Sequence, residues 1–216
     1  MPKYWLHYVG RSLYHRDNIY KYEFRHHGVQ RAIPFNVLKS LHFGDPILLA
    51  WYNRESETAT IFGYFIIDGM VNNLPPKIRE QLLETLDITD IDSTPRKIER
   101  ACGSYTIGVI ITINETIQSL VEKIQQVCEK NGIDPSKYKW FIHGPFHPLP
   151  EPIHLYPINF TRGYMRVDIE DFSLTPTETP HHIYWIYDYK QRSYLPHKAR
   201  IRLTTRKLDE ILEDKR

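Results

Sequence analysis

Apolar and polar positions follow two rhythms along this chain. Ile117, Leu120, Val121, Ile124, Val127 and Cys128 recur at intervals of three and four, the spacing that lines one face of a helix. Asn114 reads as its N-cap and Asn131-Gly132 as its stop. Helical spacing also predicts a helix over residues 75–86, with short helices over 34–41 and, after Pro95, over 94–101. Elsewhere the period is two, or the run is continuously apolar. Strands are therefore predicted over 3–9, 46–52, 59–67, 105–113, 137–142, 164–169, 183–189 and 197–203. Gly44-Asp45 turns the chain into the second of these, and the polar stretch 53–58 joins the second and third as a hairpin. Five prolines, Pro145, Pro148, Pro150, Pro152 and Pro157, make 144–157 an extended, irregular connection. In the last strand Lys198, Arg200 and Arg202 alternate with Ala199, Ile201 and Leu203, giving one basic face and one apolar face.

Composition places this pattern in an ordinary globular body, since 41% of the 216 residues are hydrophobic and 25% charged. The class expected is α+β. No apolar run approaches the length of a membrane span, and the N-terminus lacks the apolar stretch of a signal peptide, so a cytoplasmic protein without a membrane partner is expected. Cys102 and Cys128 are the only cysteines, and with Cys128 on the apolar helix face they read as buried thiols. The net charge of +2 conceals an uneven distribution. Residues 10–31 carry five Lys or Arg against Asp17 and Glu23, and residues 189–207 carry seven against none. Residues 71–160 reverse the balance, with nine basic and eleven acidic residues.

Those basic ends are also aromatic. Tyr4, Trp5, Tyr8, Tyr14, Tyr20, Tyr22 and Phe24 are interleaved with Arg11, Arg16, Lys21, Arg25 and Arg31, and the same texture returns after Tyr184. Flat rings stack on bases and cations hold phosphates, so the mixture points to nucleic acid. Enzyme signatures are sparse: the chain lacks HExxH, a phosphate-binding loop, GxSxG and CxxC. No catalytic residue, metal or cofactor is expected. His143, His147 and His154 lie close in sequence but read as surface or hydrogen-bonded groups, and the pairs His26-His27 and His181-His182 as candidates for stacking in a cleft. One enzymatic alternative is a magnesium-dependent nuclease, in which Asp171 and Asp188 hold the metal and Lys190 polarises the attacking water.

Several marks in order carry a family resemblance: the strand Tyr4-Trp5-Leu6, then Gly10-Arg11, His27-Gly28-Val29, Leu38 to Leu41, Gly44-Asp45-Pro46-Ile47-Leu48-Leu49 and Ile61-Phe62-Gly63-Tyr64. Together they resemble the EVE domain, a PUA-like small β-barrel close to the YTH readers of methyladenine. Residues 194–203 resemble the last core strand of that fold. The resemblance implies a single domain over 1–204, with its core in 1–70 and 180–204, a large α/β insertion over 71–179, and a charged linker or helix over 205–216 leading to a further region. Domains resembling this one occur in archaeal McrB-type restriction GTPases.

The resemblance implies a module that flips a methylated base into an aromatic cage, the DNA-recognition part of a modification-dependent restriction system. An AAA+ GTPase module in cis and a nuclease subunit in trans would be its protein partners. His27 stands where the family often has Trp, so the cage is assigned to Trp51, Trp185, Tyr20, Tyr22, His27 and Tyr52. The nucleic-acid backbone is assigned to Arg11, Arg25, Arg31, Lys198, Arg200 and Arg202. A PUA-like RNA-binding domain acting on transfer or ribosomal RNA would use the same basic clusters without a cage.

Overall fold

The computed structural model describes residues 3–9, 28–53, 55–72, 74–101, 104–155 and 163–186, among which are eleven strands, three α-helices and a short 3-10 helix (Pro135–Lys137). In chain order they are β1 (Lys3–Tyr8), β2 (Val29–Ile33), α1 (Phe35–Leu38), β3 (Pro46–Asn53), β4 (Thr58–Ile66), β5 (Gly69–Asn72) and α2 (Pro76–Leu83). There follow β6 (Ile88–Ala101), β7 (Ser104–Ile113), α3 (Ile117–Lys130), β8 (Trp140–Gly144), β9 (Phe146–Leu155), β10 (Tyr164–Asp168) and β11 (His182–Ile186). A first sheet has the order β10-β1-β3-β4-β9, and a second has β2-β8-β5-β11-β7-β6. All pairings are antiparallel except β1 with β3 and β11 with β5.

The α+β class is as the sequence reads. The described strands form two sheets, neither closed on itself by hydrogen bonds, although β2 and β6 at opposite ends of the second sheet also approach each other. The main core joins the two sheets to the helices. Ile47, Leu49, Phe62 and Phe65 of the first sheet meet Val29, Met70, Val109, Ile111 and Ile142 of the second, together with the apolar faces of α2 and α3. A smaller core lies on the other side of the first sheet, where Tyr4, Leu6, Leu48, Ala50 and Ile61 pack with Val167 and Ile169.

The helix with the strongest spacing folds as read: all six residues of its apolar stripe are buried, and Asn131 caps its end ahead of Gly132, whose φ is 64°. Its N-cap is Thr116 rather than Asn114. The Thr116 hydroxyl accepts from the Ser119 amide at 3.1 Å, satisfying a first-turn N–H, while the Asn114 side chain bonds to Asp87. Cys128 is buried, as its place in the stripe requires.

Three expectations need correction. Residues 94–101 are not helical but continue the long strand β6, whose register shifts between Asp92 and Arg96 to take in Pro95. A proline is tolerated there because β6 lies at a sheet edge. The proline-rich connection is likewise a strand, β9, at the edge of the first sheet, and its register with β4 breaks between Ile61 and Gly63 where the prolines crowd. Nor does 71–179 project from a core built of 1–70 and 180–204. It supplies strands to both sheets, β10 pairing with β1, β9 with β4, β8 with β2 and β5, and β7 with β11. The interleaving equally excludes a chain divided into two successive halves near residue 100.

The Gly44-Asp45 turn shows why that pair is needed. Gly44 has a φ of 88°, and a Cβ there would stand 2.3 Å from the Thr177 carbonyl oxygen. Asp45 fixes the same turn by accepting from the His42 amide at 2.8 Å.

Candidate nucleic-acid interface

Alternation along β1 sends Tyr4 and Leu6 into the smaller core and turns Trp5 and His7 toward the opposite face. Antiparallel pairing then sets Arg166 of β10 beside Trp5 and Tyr164 beside His7. The His7 and Tyr164 rings lie 4.5 Å apart, and those of Trp5 and Tyr164 meet edge to face at 6.4 Å. The exposed Arg166 lays its guanidinium 4.9 Å over the Trp5 ring. Ile47 and Leu49 of β3 flank Trp5 and His7, and Trp51 follows on the same face.

A second cation reaches this face from the other sheet. Arg31 of β2 is 5% exposed, and its Nη1 donates to the Gln30 carbonyl at 2.8 Å. Its charge acts on both His7 and Tyr164. Burial above all, and then the Arg31 charge, lower the His7 pKa from 6.5 to about 3, against the opposing hydrogen bond to the Gly163 backbone. At neutral pH the imidazole is therefore uncharged. Burial pushes the Tyr164 phenol well above its ordinary value, with Arg31 opposing, so it keeps its proton.

Three polar atoms on this face are enclosed and lack a hydrogen-bond partner: Trp5 Nε1, His7 Nδ1 and the Tyr164 hydroxyl. Each such atom costs about 1–3 kcal/mol, and native structures hold few of them, so three in one group of touching rings are a departure from ordinary core packing. The Gln30 amide is also enclosed and unpartnered, but Gln30 and Arg31 are adjacent on β2 and face opposite ways. Gln30 pairs in register with His143, on the side of the second sheet where Val71, Phe141 and Tyr184 pack.

The residues assigned to a cage from sequence are not gathered into one. Trp185 is 2% exposed in the main core, with Arg79 4.9 Å over its ring, so it offers no open face to a base. Trp51 is half-buried and stacked on Phe62 at 4.6 Å. Tyr52, next along β3, faces the other way and meets Tyr8 edge to face at 6.5 Å. Of the backbone-binding set, Arg31 is buried beside His7 rather than exposed to phosphate. Tyr20, Tyr22, His27, Arg11, Arg25, Lys198, Arg200 and Arg202 lie outside the described residues, as do Cys102 and the strand expected over 197–203. So do Asp188 and Lys190 of the nuclease alternative. Its third member, Asp171, is an exposed turn residue with a φ of 55°.

Four of the histidines singled out from the sequence make local contacts. His143 Nδ1 bonds to Asp68 at 2.9 Å, and the Tyr184 hydroxyl donates to the same carboxylate at 3.2 Å. His147 stacks on Tyr64, His154 pairs with Thr60, and His181 stacks on Phe43 while bonding to the Glu115 carbonyl. Among the described residues no three His, Cys, Asp or Glu side chains converge to hold a metal ion, and no helix is long and apolar enough to cross a membrane.

Trp5, His7, Tyr164 and Arg166 are the residues the sequence reading did not assign to a site. Their signal is present but short: aromatic or basic residues at alternate positions of two strands whose intervening residues, Leu6 and Met165, are apolar. The chain matches no family model, no curated protein and no solved structure.

Proposed function

We propose that this protein is a nucleic-acid-binding module that holds one base, turned out of its stack, against Trp5, His7 and Tyr164. The observation that carries the reading is the group of three touching rings with unpartnered polar atoms, between a guanidinium at its rim and another behind it. A base leaving its stack gives up a few kcal/mol. Stacking on an aromatic side chain returns about 1–3 kcal/mol, and hydrogen bonds to the base edge add to that. Arg166, exposed over Trp5, would meet the phosphate beside such a base, and the basic stretches 10–31 and 189–207 would supply the longer-range attraction.

The resemblance to EVE domains extends this reading to its setting. A PUA-like ancestry would make the module the DNA-recognition part of a modification-dependent restriction system, with a methylated base as target and a GTPase and a nuclease as partners. The decisive measurement is fluorescence anisotropy with labelled plain duplex, methylated duplex and single-stranded RNA, on the wild type, Trp5→Ala and Tyr164→Ala. Tightest binding to methylated duplex is expected, with that preference lost in both variants while weak salt-sensitive binding persists. Folded variants that bind as the wild type does would move the site elsewhere, and a preference for RNA would favour a PUA-like RNA-binding domain.

A further inference from the structure

Trp5 is flanked on both sides within the first sheet. β1 runs between β10 and β3, and in register Trp5 has Arg166 on one side and Ile47 on the other. Ile47 is fully buried in the main core, against which Trp5 packs, so that flank is closed. Over the other flank the Arg166 guanidinium lies 4.9 Å from the centre of the indole. A base stacked on Trp5 and this guanidinium therefore compete for one place. Arg166 is free to give it up. It is exposed, β10 has no strand beyond it among the described residues, and its side chain makes no ion pair or hydrogen bond there. Arg79 over Trp185 is held differently, half-buried and with its Nε enclosed.

On the reading that Trp5 holds an extruded base, we infer that Arg166 is a displaceable cover on that ring, drawn off by the phosphate beside the base. An exposed cation–π contact is worth about two- to five-fold in an equilibrium constant. A base stacked on an aromatic side chain is worth about five- to 150-fold, so the base wins the place. The class of ligand follows from what becomes of the displaced cation. A nucleotide brings a ring for Trp5 and, next to it, an anion that receives the guanidinium in a charge-assisted hydrogen bond. A nucleoside brings only the ring and sends the guanidinium into water. The site therefore selects nucleotides over nucleosides at the ring itself, besides whatever attraction acts from further away.

Ligand-observed NMR titration tests this with adenosine, adenosine methylated at its amino group, cytidine and cytidine methylated at its ring carbon, each with and without a phosphate on the sugar. For whichever base binds most tightly, the wild type is expected to prefer the phosphorylated form by about ten-fold or more. Arg166→Ala should move the two forms in opposite directions, the nucleoside binding about two- to five-fold more tightly because the cover is gone and the nucleotide more weakly. Arg166→Gln, of similar reach but uncharged, repeats the comparison if the alanine variant fails to fold. A nucleoside affinity that stays the same or falls in these variants would overturn the cover, and if Trp5→Ala still weakens binding the base-holding site stands without it. Binding indifferent to Trp5→Ala, or none by any of these ligands, would overturn the site and this inference with it.

Discussion

Trp185 and Trp5 sit under the same interaction in two different surroundings. Each has an arginine guanidinium 4.9 Å above its ring, Arg79 over Trp185 and Arg166 over Trp5. Trp185 belongs to the main apolar cluster with Ile183 and Val109, and is 2% exposed, whereas Trp5 is half-buried at the margin of that cluster. Around Trp5 the neighbours are a neutral histidine, a protonated tyrosine and an exposed arginine, and its indole N–H has no partner. A shared residue type and a shared cation contact therefore do not distinguish a structural ring from a binding one. What differs is the company each ring keeps: Trp5 shares its face with His7 and Tyr164, whose polar atoms have no hydrogen-bond partner, and on the proposed reading those atoms are kept for a ligand.

The largest expected effect breaks the Trp185 half of this comparison. Trp185→Ala should lower unfolding stability by about 3–5 kcal/mol, the usual cost of removing a large buried aromatic. Urea denaturation followed by circular dichroism measures it, and a loss below about 1 kcal/mol would show that the ring is not core. The counterpart, Trp5→Ala, should weaken oligonucleotide binding by about 1–3 kcal/mol while costing less stability than Trp185→Ala does. If the two substitutions damage stability equally and binding equally, the distinction between the two neighbourhoods fails.

Acid should reach the Trp5 neighbourhood through His7. Its folded pKa is about 3 against 6.5 for an ordinary histidine, so between those values the unfolded chain binds a proton that the folded chain refuses. This depressed histidine therefore costs nothing above pH 6.5, and stability falls as the pH drops through the window toward 3. Its share of the slope approaches about 1.4 kcal/mol per pH unit. Thermal unfolding of the wild type and His7→Gln across that window should show a shallower decline in the variant; equal slopes would mean that His7 titrates normally. The smallest effect concerns the rim. Arg166→Ala should reduce the slope of log affinity against log salt by somewhat under one unit for any sequence bound, because one phosphate contact is removed. An unchanged slope would leave Arg166 as a partner of Trp5 alone.

Legibility in the sequence followed the range of the contacts. The stripe of α3 is set by neighbours three and four residues apart, and all six of its residues are buried as read. The β3–β4 hairpin follows from the six-residue polar stretch 53–58 between two apolar runs, and it too forms as read, with Asn53 pairing Thr58. The prolines of β6 and β9 were misleading because local chemistry argues against a strand, whereas an edge position with a register break admits them. Trp51 and Tyr52 illustrate the same limit within one strand, since adjacent aromatics with equal claims to a cage face opposite cores.

By itself the sequence determined the α+β class, most of the strands, the packed face of the long helix, and the mixture of rings and cations on which the proposed function draws. Only the tertiary structure decided which rings share a place. Trp5 and Arg166 stand beside each other, as do His7 and Tyr164, through a pairing that spans most of the chain, and Arg31 arrives from another sheet. A period of two tells which side of a strand a residue faces, but not what lies across from it. That depends on which distant strands win the pairing, and the choice is made by burying apolar faces such as Leu6 with Val167, while the polar residues between them are carried along.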